Sequence, residues 1–252
     1  MHGQTSSLPI RTGRSQRPPL RRPPATGAPV TSGTVEDYLK QLYAEQYASG
    51  ESAPVTTGRL AVVMGVTPGT ATSMVKSLAT SGLVQHELRK GVQLTAEGET
   101  LALSVLRRHR LMELFLVEVL KLDWSVVHEE AEMLEHAISD RVLERIDSLL
   151  GHPTVDPHGD PIPSATGHVE GPNRTSLANC PLNEPQRVRR ILKQDPEFLR
   201  FAEREGLVPG ATLLIIDREA VAESVRIRVV GREISSLGLA VAHKIIVQPV
   251  IG

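Results

Sequence analysis

TTGRLAVVMGVTPGTATSMVKSLATSGLV, residues 56–84, reads as two short helices separated by a tight turn. The first is predicted over about Thr57–Met64, and Gly65 permits the turn because it lacks a Cβ. The second starts near Thr67, with Pro68 in its first turn, and ends at Ser81-Gly82. Ala61, Val66, Ala71, Val75 and Leu78 supply an apolar seam between the two. This is the organisation of a helix-turn-helix, whose second helix enters the DNA major groove. Immediately downstream, LVQHEL and VQLT read as two short strands joined by Arg89-Lys90-Gly91. A basic hairpin after a recognition helix is the wing of a winged helix.

Upstream, TVEDYLKQLYAEQYAS places Val35, Tyr38, Leu39, Leu42, Tyr43 and Tyr47 at helical spacing, with Thr34 as the expected N-cap and Gly50 as the stop. Residues 1–33 differ: they carry five arginines, no acid and little apolar content, the composition of a disordered basic arm. The expected winged-helix domain is therefore 34–96. Arg59, Lys76, Arg89 and Lys90 are its candidates for phosphate contacts, while Thr67, Thr70, Thr72 and Ser73, with Lys76, face the bases. Its five bases are matched by five acids, so one copy alone should hold a polyanion weakly.

Beyond Thr95 a long helix is expected, followed by a second from about Ser125 to Leu150. Val127, Ala131, Leu134, Ile138, Val142, Ile146 and Leu149 form a stripe along the second. Residues 97–150 thus read as a helical dimerisation domain, and a symmetric dimer would read palindromic double-stranded DNA. The second helix contains HEEAEMLEH, residues 128–136, with two histidines and four glutamates. On a regular helix His128, Glu132, Glu135 and His136 share about 100° of arc, enough to gather nitrogen and oxygen ligands for a divalent cation, although acidic faces of this length are commonly just solvated. His109 and Glu113 are i,i+4 neighbours on the preceding helix.

Residues 151–176 are dense in proline and glycine and read as a linker, within an expected boundary of 151–180; His152, His158 and His168 are expected to be exposed there, with a metal role as the lesser alternative. Over 181–252 a strand near Arg187–Ile191, a helix from about Pro196 and three strand-like runs (GATLLIIDR, VRIRVVGREISS and AHKIIVQPV) suggest a small SH3-like β-barrel. The fold class expected is therefore mainly α, with a winged helix-turn-helix, a helical dimerisation domain and a small all-β C-terminal domain.

The 252 residues carry a net charge of −1, a single cysteine, Cys180, and only 3% aromatics. One cysteine excludes an intrachain disulfide and suits a reducing cytoplasm. The absence of an apolar run of membrane-spanning length or a secretory h-region argues against a membrane location. Scarce aromatics argue against a base-stacking platform. A small-molecule substrate is not expected either.

RRHRLMELFL, VHEEAEMLEH and HGDPIP, together with the domain order, resemble the diphtheria toxin repressor family of metal-dependent transcriptional regulators across about residues 34–252. The resemblance implies a primary metal site of Asp37, Glu132, Glu135 and His136. It also implies an ancillary site of His109, Glu113 and His128, aided by the C-terminal domain, where Gln194 and Glu197 are the candidates and Asp195 a competitor. Iron-sensing relatives carry sulfur ligands where this chain has Asp37 and Glu132, and hard oxygen ligands suit Mn²⁺ over Fe²⁺. The short manganese regulators have a further glutamate where this chain has Lys40, so the two-site arrangement of the longer relatives is expected. The implied function is a manganese-activated homodimeric repressor of metal-uptake genes, with an iron-responsive regulator as the alternative. A metalloenzyme is the competing class, since His128-Glu129-x-x-Glu132 is one residue away from the zinc-protease HExxH. No nucleophile or phosphate-binding glycine loop accompanies it. A metal-independent winged-helix dimer with an acidic helix is the third reading.

Overall fold

The structure is a computed structural model that describes residues 32–48, 52–87, 89–169 and 175–250. The basic arm read over residues 1–33 falls almost wholly outside these ranges. Ser32, rather than Thr34, caps the first helix, α1 (Gly33–Gln46), its side chain accepting from the Val35 amide. Tyr38, Leu39 and Leu42 bury its inner face.

The helix-turn-helix forms as α2 (Thr57–Val63), a turn through Gly65 at φ 63°, and α3 (Pro68–Thr80). Thr56 and Thr67 each cap a helix by accepting from the amide three residues on. Leu60, Val75 and Leu78 pack between these helices and α1 without exposure to solvent beyond a trace. The wing is an antiparallel pair, β1 (Val84–Glu87) and β2 (Gly91–Leu94), in register Val84↔Leu94 through Glu87↔Gly91. Val55 bridges to Val92 and ties the segment before α2 to the wing.

Thr95 caps α4 (Ala96–Glu118), the long helix that joins the module to the next layer. Gly98 lies so close to the Leu83 carbonyl that any Cβ there would collide with it, which locks the wing to the start of α4. The helix expected over 125–150 is not continuous. It breaks into α5 (Val127–Leu134) and α6 (Asp140–Leu149), with a turn through residues 135–137. Met112, Leu116, Val127, Ala131 and Ile146 fill the space among the three helices, and Leu111, Leu143 and Ile162 form a second cluster beside it.

The C-terminal part is a five-stranded antiparallel sheet in the order β6-β5-β4-β3-β7, consistent with an SH3-like domain. Its strands are β3 (Gln186–Ile191), β4 (Thr212–Glu219), β5 (Ser224–Val229), β6 (Ile234–Gly238) and β7 (Ile245–Pro249). Between them lie α7 (Pro196–Glu205), capped by Asp195, and the one-turn α8 (Leu239–Ala242). The run 225–236, read as one strand, is split into β5 and β6 by a turn through Gly231 at φ 80°. Every second residue of β5 (Val225, Ile227, Val229) faces the core, as a half-buried strand requires.

The proline-rich segment is more ordered than a linker. Asp156 Oδ1 accepts from the His158 and Asp160 amides, and Val155 pairs with Pro161. Gly159, at φ 87°, leaves no room for a Cβ against the Arg189 carbonyl, and the His158 carbonyl accepts from Ile191 N of β3. His158, expected to be exposed, is fully buried, because this tight loop is pressed between Trp124 and the sheet. His152 and His168 do lie on the surface.

Candidate metal centre

Three elements bring the titratable side chains together: α1 from the winged module, α4, and α5 with the turn that follows it. The turn matters most. A continuous helix would carry Glu135 and His136 onward along the α5 face. Instead Glu135 occupies the C-cap of α5 and is completely buried, and His136 lies in the turn itself. The helical arc anticipated for the four residues therefore holds through Glu135, whose backbone is still α-helical and donates to the Ala131 carbonyl, while His136 lies in the turn that follows. Glu129 and Glu130 point to solvent.

His136 meets α1. Its Nε2 lies 2.9 Å from Asp37 Oδ1 and 3.3 Å from Glu135 Oε1, while its Nδ1 lies 2.7 Å from Glu36 Oε2. Glu36, which the sequence reading did not select, is buried and is also approached by the Arg108 guanidinium at 3.4 Å. It serves as the partner that orients the His136 ring, a role commonly filled by carboxylates behind metal-ligating imidazoles. Its position next to Asp37 was the available signal.

One layer deeper, His109 is held between two carboxylates, with Nδ1 2.7 Å from Glu135 Oε2 and Nε2 3.0 Å from Glu113 Oε1. His128 Nδ1 lies 3.1 Å from both His109 Nε2 and Glu113 Oε1. Three donors mutually about 3 Å apart have the edge spacing of ligands around one ion with bonds of about 2.1 Å. None of these groups is a sulfur ligand, and Cys180 is buried in the C-terminal core. The donor set fits a borderline-to-hard divalent ion. Among the described residues three groupings hold one ligand atom of each member within 4.8 Å of the others: Asp37 with Glu135 and His136, His109 with His128 and Glu132, and Glu113 with Asp156 and His158.

Glu132 is placed differently from a simple ligand. Its Oε1 lies 2.7 Å from Lys40 Nζ, and the same ammonium reaches Glu135 Oε1 at 2.6 Å. Lys40 is only 6% exposed, so the chain supplies a cation of its own between the two carboxylates.

The charges show how far these groups depend on one another. Burial alone would lower the His109 pKa, yet hydrogen bonds to Glu113 and Glu135 and the Glu113 charge outweigh it and raise it to about 9. Burial is likewise outweighed at Lys40, where the Glu135 charge and the bonds to Glu132 and Glu135 hold the amine protonated. Glu113 is held well below the usual carboxylate range, against its burial, chiefly by the bonds from His109 and His128. His136 is raised by Glu36, Glu135 and Asp37 against its partial burial.

A cavity of about 760 Å³ opens beside this cluster, lined by Lys40, His109, Glu113 and Glu132 on one side and by Asp156 and Gln194 on the other. Gln194 reaches the cavity, but its amide donates to Asp160 Oδ2 at 2.5 Å. Glu197 is exposed in the first turn of α7 and does not line the cavity. Asp195 is consumed as the α7 N-cap. Of the C-terminal ligands expected, Glu197 is thus not brought to the cluster, and Gln194 faces it across the cavity with its amide engaged by Asp160. In place of Glu197 the tether presents Asp156 and His158.

The expected DNA face is presented by α3 and the wing. Thr70, Ser73 and Lys76 are exposed along the outer face of α3. Thr67 is used as the α3 cap and Thr72 donates to the Pro68 carbonyl, so both hydroxyls have local roles. Arg59 is clamped by both oxygens of Glu45 at 2.7 and 2.8 Å, and Lys90 pairs with Glu87 at 2.5 Å. Arg89 sits at the wing tip in a left-handed conformation, φ 68°.

A winged helix whose first helix shares a nitrogen-and-oxygen cluster with a helical domain defines a class, that of metal-dependent DNA-binding regulators. Residues 31–92 match the family described as "Iron dependent repressor, N-terminal DNA binding domain", residues 95–164 "Iron dependent repressor, metal binding and dimerisation domain", and residues 175–249 "FeoA domain". The diphtheria toxin repressor of Corynebacterium efficiens is 30% identical over 196 residues, covering 74% of this chain and 84% of that protein. The iron-dependent repressor IdeR of Mycobacterium leprae is 28% identical over 229 residues, 86% of this chain and 97% of its own length. Among solved structures, a manganese-dependent transcriptional repressor in complex with manganese superposes with a TM-score of 0.77 at 38% identity, over 86% of this chain and all of that one. The chain belongs to the diphtheria toxin repressor family of metal-dependent transcriptional repressors.

Proposed function

We propose that this protein is a manganese-activated homodimeric repressor that binds palindromic operator DNA and controls metal-uptake genes. The observation that carries the reading is the meeting of Asp37 on α1 with Glu135 and His136 behind α5. Those three groups belong to two different layers, so holding them together fixes the winged module relative to the helical domain. When bound, a divalent ion supplies positive charge and directed bonds that favour the assembled cluster over a separated one. Asp37, Glu132, Glu135 and His136 would form the primary site and His109, Glu113 and His128 the ancillary one. Glu36 and Glu135 keep the His136 and His109 rings oriented, and the contacts of His128 with His109 and Glu113 hold α5 against α4. The effect on DNA is limited to the difference in ion affinity between the two arrangements.

Oxygen-rich ligands without sulfur favour Mn²⁺ over Fe²⁺, and the similarity to a manganese-dependent repressor points the same way. The sequence similarity to IdeR keeps an iron-responsive regulator as the second reading. Dimer formation is supported by large apolar side chains left exposed on the helical layer, Met133 and Leu149 at 66% and Val142 at 49%. Among the described residues no helix is long and apolar enough to cross a membrane. The test is operator binding at equal free Mn²⁺, Fe²⁺, Zn²⁺ and Co²⁺, for the wild type and Glu132→Ala. Mn²⁺ should tighten wild-type binding at least tenfold and do much less for the variant. Wild-type binding that is equal with and without metal would refute the switch.

A further inference from the structure

The C-terminal sheet carries four arginines that neither the metal centre nor the winged helix uses. Along β3, Gln186 and Val188 point into the core while Arg187 and Arg189 point outward. Along β5, Arg226 and Arg228 point outward between the buried Val225, Ile227 and Val229. All four are exposed, and none forms an ion pair or side-chain hydrogen bond among the described residues. Other arginines of the same domain are engaged: Arg190 pairs with Asp160, Arg218 donates to the Cys180 carbonyl and Arg232 to the Arg204 carbonyl. A sheet face gains stability from opposite charges set across neighbouring strands. Here Arg187 stands opposite Thr212 and Gln248, and Arg228 opposite Leu214 and Ile234, all uncharged. Asp217, opposite Arg226, is the acid in these rows.

We propose that this outer face of the C-terminal sheet is a second DNA-backbone contact, which holds phosphates flanking the operator while the winged helix reads the operator itself. The inference rests on DNA binding by the winged module and extends it to the C-terminal domain. Within each strand the two arginines are two residues apart, about 6.8 Å. That is twice the axial rise of about 3.4 Å between successive phosphates of one DNA strand. The β3 pair and the β5 pair are separated by β4, hence by about 9.6 Å. Arginine at all four positions suits phosphate, because its planar fork can give two parallel hydrogen bonds to one group. The charge balance of the winged module points the same way. Its five bases are matched by five acids, and two of its basic candidates, Arg59 and Lys90, are already held by Glu45 and Glu87. Tight binding of a polyanion therefore gains from cations elsewhere in the chain. The sheet is placed to supply them, because Leu192, His243 and Ile246 line the same cavity as Tyr43 and Tyr47 of α1. The competing anion is a second copy of this chain, which exposes Glu129 and Glu130 on α5.

The test uses the full-length protein in saturating Mn²⁺ and a duplex that it selects from a random pool. That duplex is compared with the same sequence extended by about two helical turns, roughly 20 base pairs, on each side. Mobility shifts across a salt series are recorded for the wild type and for the combined Arg187→Gln, Arg189→Gln, Arg226→Gln and Arg228→Gln variant. The wild type should bind the extended duplex about tenfold more tightly at low salt, with a steeper slope of log K against log salt. The variant should lose that gain, its slope on the extended duplex falling by at least about 2, since each lost phosphate contact removes about 0.9. Its binding to the short duplex and to Mn²⁺ should be unchanged. A wild type that binds both duplexes with the same affinity and slope would overturn the second contact while leaving operator binding intact, and this arm does not depend on the variant folding. A variant that keeps the wild-type slope but sediments as a smaller species would assign the arginines to a second copy instead of DNA. A wild type that selects no duplex would overturn both this contact and the DNA-binding reading beneath it.

Discussion

Lys40 places a buried ammonium 2.7 Å from Glu132 and 2.6 Å from Glu135, between residues proposed as primary ligands. It and a divalent ion compete for the same carboxylates. Lys40→Met should therefore raise Mn²⁺ affinity by at least tenfold in calorimetry. The same change leaves Glu135 buried with one partner fewer, so metal-free stability in denaturant unfolding should fall by about 3 kcal/mol. Unaltered Mn²⁺ affinity would show that the ammonium does not compete. A second expectation concerns pH. His109 titrates near 6.5 when unfolded and near 9 when folded, so the stability it contributes is full below pH 6.5 and lost as pH rises through 9. Asp156 acts in the same sense, because burial and the charges of Asp160 and Glu113 push it up to about 8. Glu113 and Glu135 are lowered, so their contribution is present above pH 4.5 and lost as pH falls further. Metal-free protein in chelator should thus lose stability between pH 6.5 and 9, whereas saturating Mn²⁺, which replaces the ring proton, should flatten or reverse that slope. A parallel slope in both conditions would argue against metal at His109. At this scale Glu132, Glu135, His136 and His109 could be picked from residue type and spacing. Lys40 could not be assigned a role, because a lysine in a helical heptad ordinarily reaches water. His158 was misread because proline and glycine density signals a loop but not whether that loop is buried.

The elements that bear on DNA were the most legible, since α2, the Gly65 turn, α3 and the wing follow from caps, one glycine and an apolar seam close in sequence. The break between α5 and α6 was not legible. The apolar stripe continues across residues 135–139, and nothing local says that Glu135 will turn inward to His109 and Lys40. The split of residues 225–236 into β5 and β6 was hidden for a related reason, since Gly231 suits either a bulge or a turn until the partner strands are known. The α3 geometry separates two basic residues that looked equivalent. Lys76 is exposed on the outer face of α3, whereas Arg59 is held by both oxygens of Glu45. Lys76→Ala should weaken binding to all DNA sequences alike and reduce the slope of log K against log salt by about one. Arg59→Ala should have a smaller effect, since that guanidinium must first leave a two-bond carboxylate clamp. Mobility shifts across a salt series check both, and a larger loss for Arg59→Ala would mean that the clamp opens on DNA.

At the scale of the whole molecule, the metal cluster and the DNA face are at different ends of one chain of contacts. Asp37 and His136 join α1 to the turn behind α5, and α1 packs on the helix-turn-helix through Tyr38, Leu39 and Leu42. A single winged module with balanced charge has little attraction for a polyanion, so two copies at a fixed separation are needed for tight binding. That separation is set wherever the helical layers meet. Met133 and Leu134 at the end of α5, with Val142 and Leu149 on α6, are the exposed apolar residues available for that contact. Met133→Asp together with Leu149→Asp should leave the fold and Mn²⁺ binding intact, because neither side chain belongs to the buried clusters or the ligand sets. Sedimentation should then show a monomer, and operator affinity in saturating Mn²⁺ should fall by at least a hundredfold while binding to a half-site is little changed. A doubly substituted protein that still sediments as a dimer would place the interface elsewhere, with Val119, Leu120 and Leu122 beyond α4 as the next exposed apolar group to substitute. A monomer that kept full operator affinity would show instead that one winged module suffices, and the argument from charge balance would fail with it.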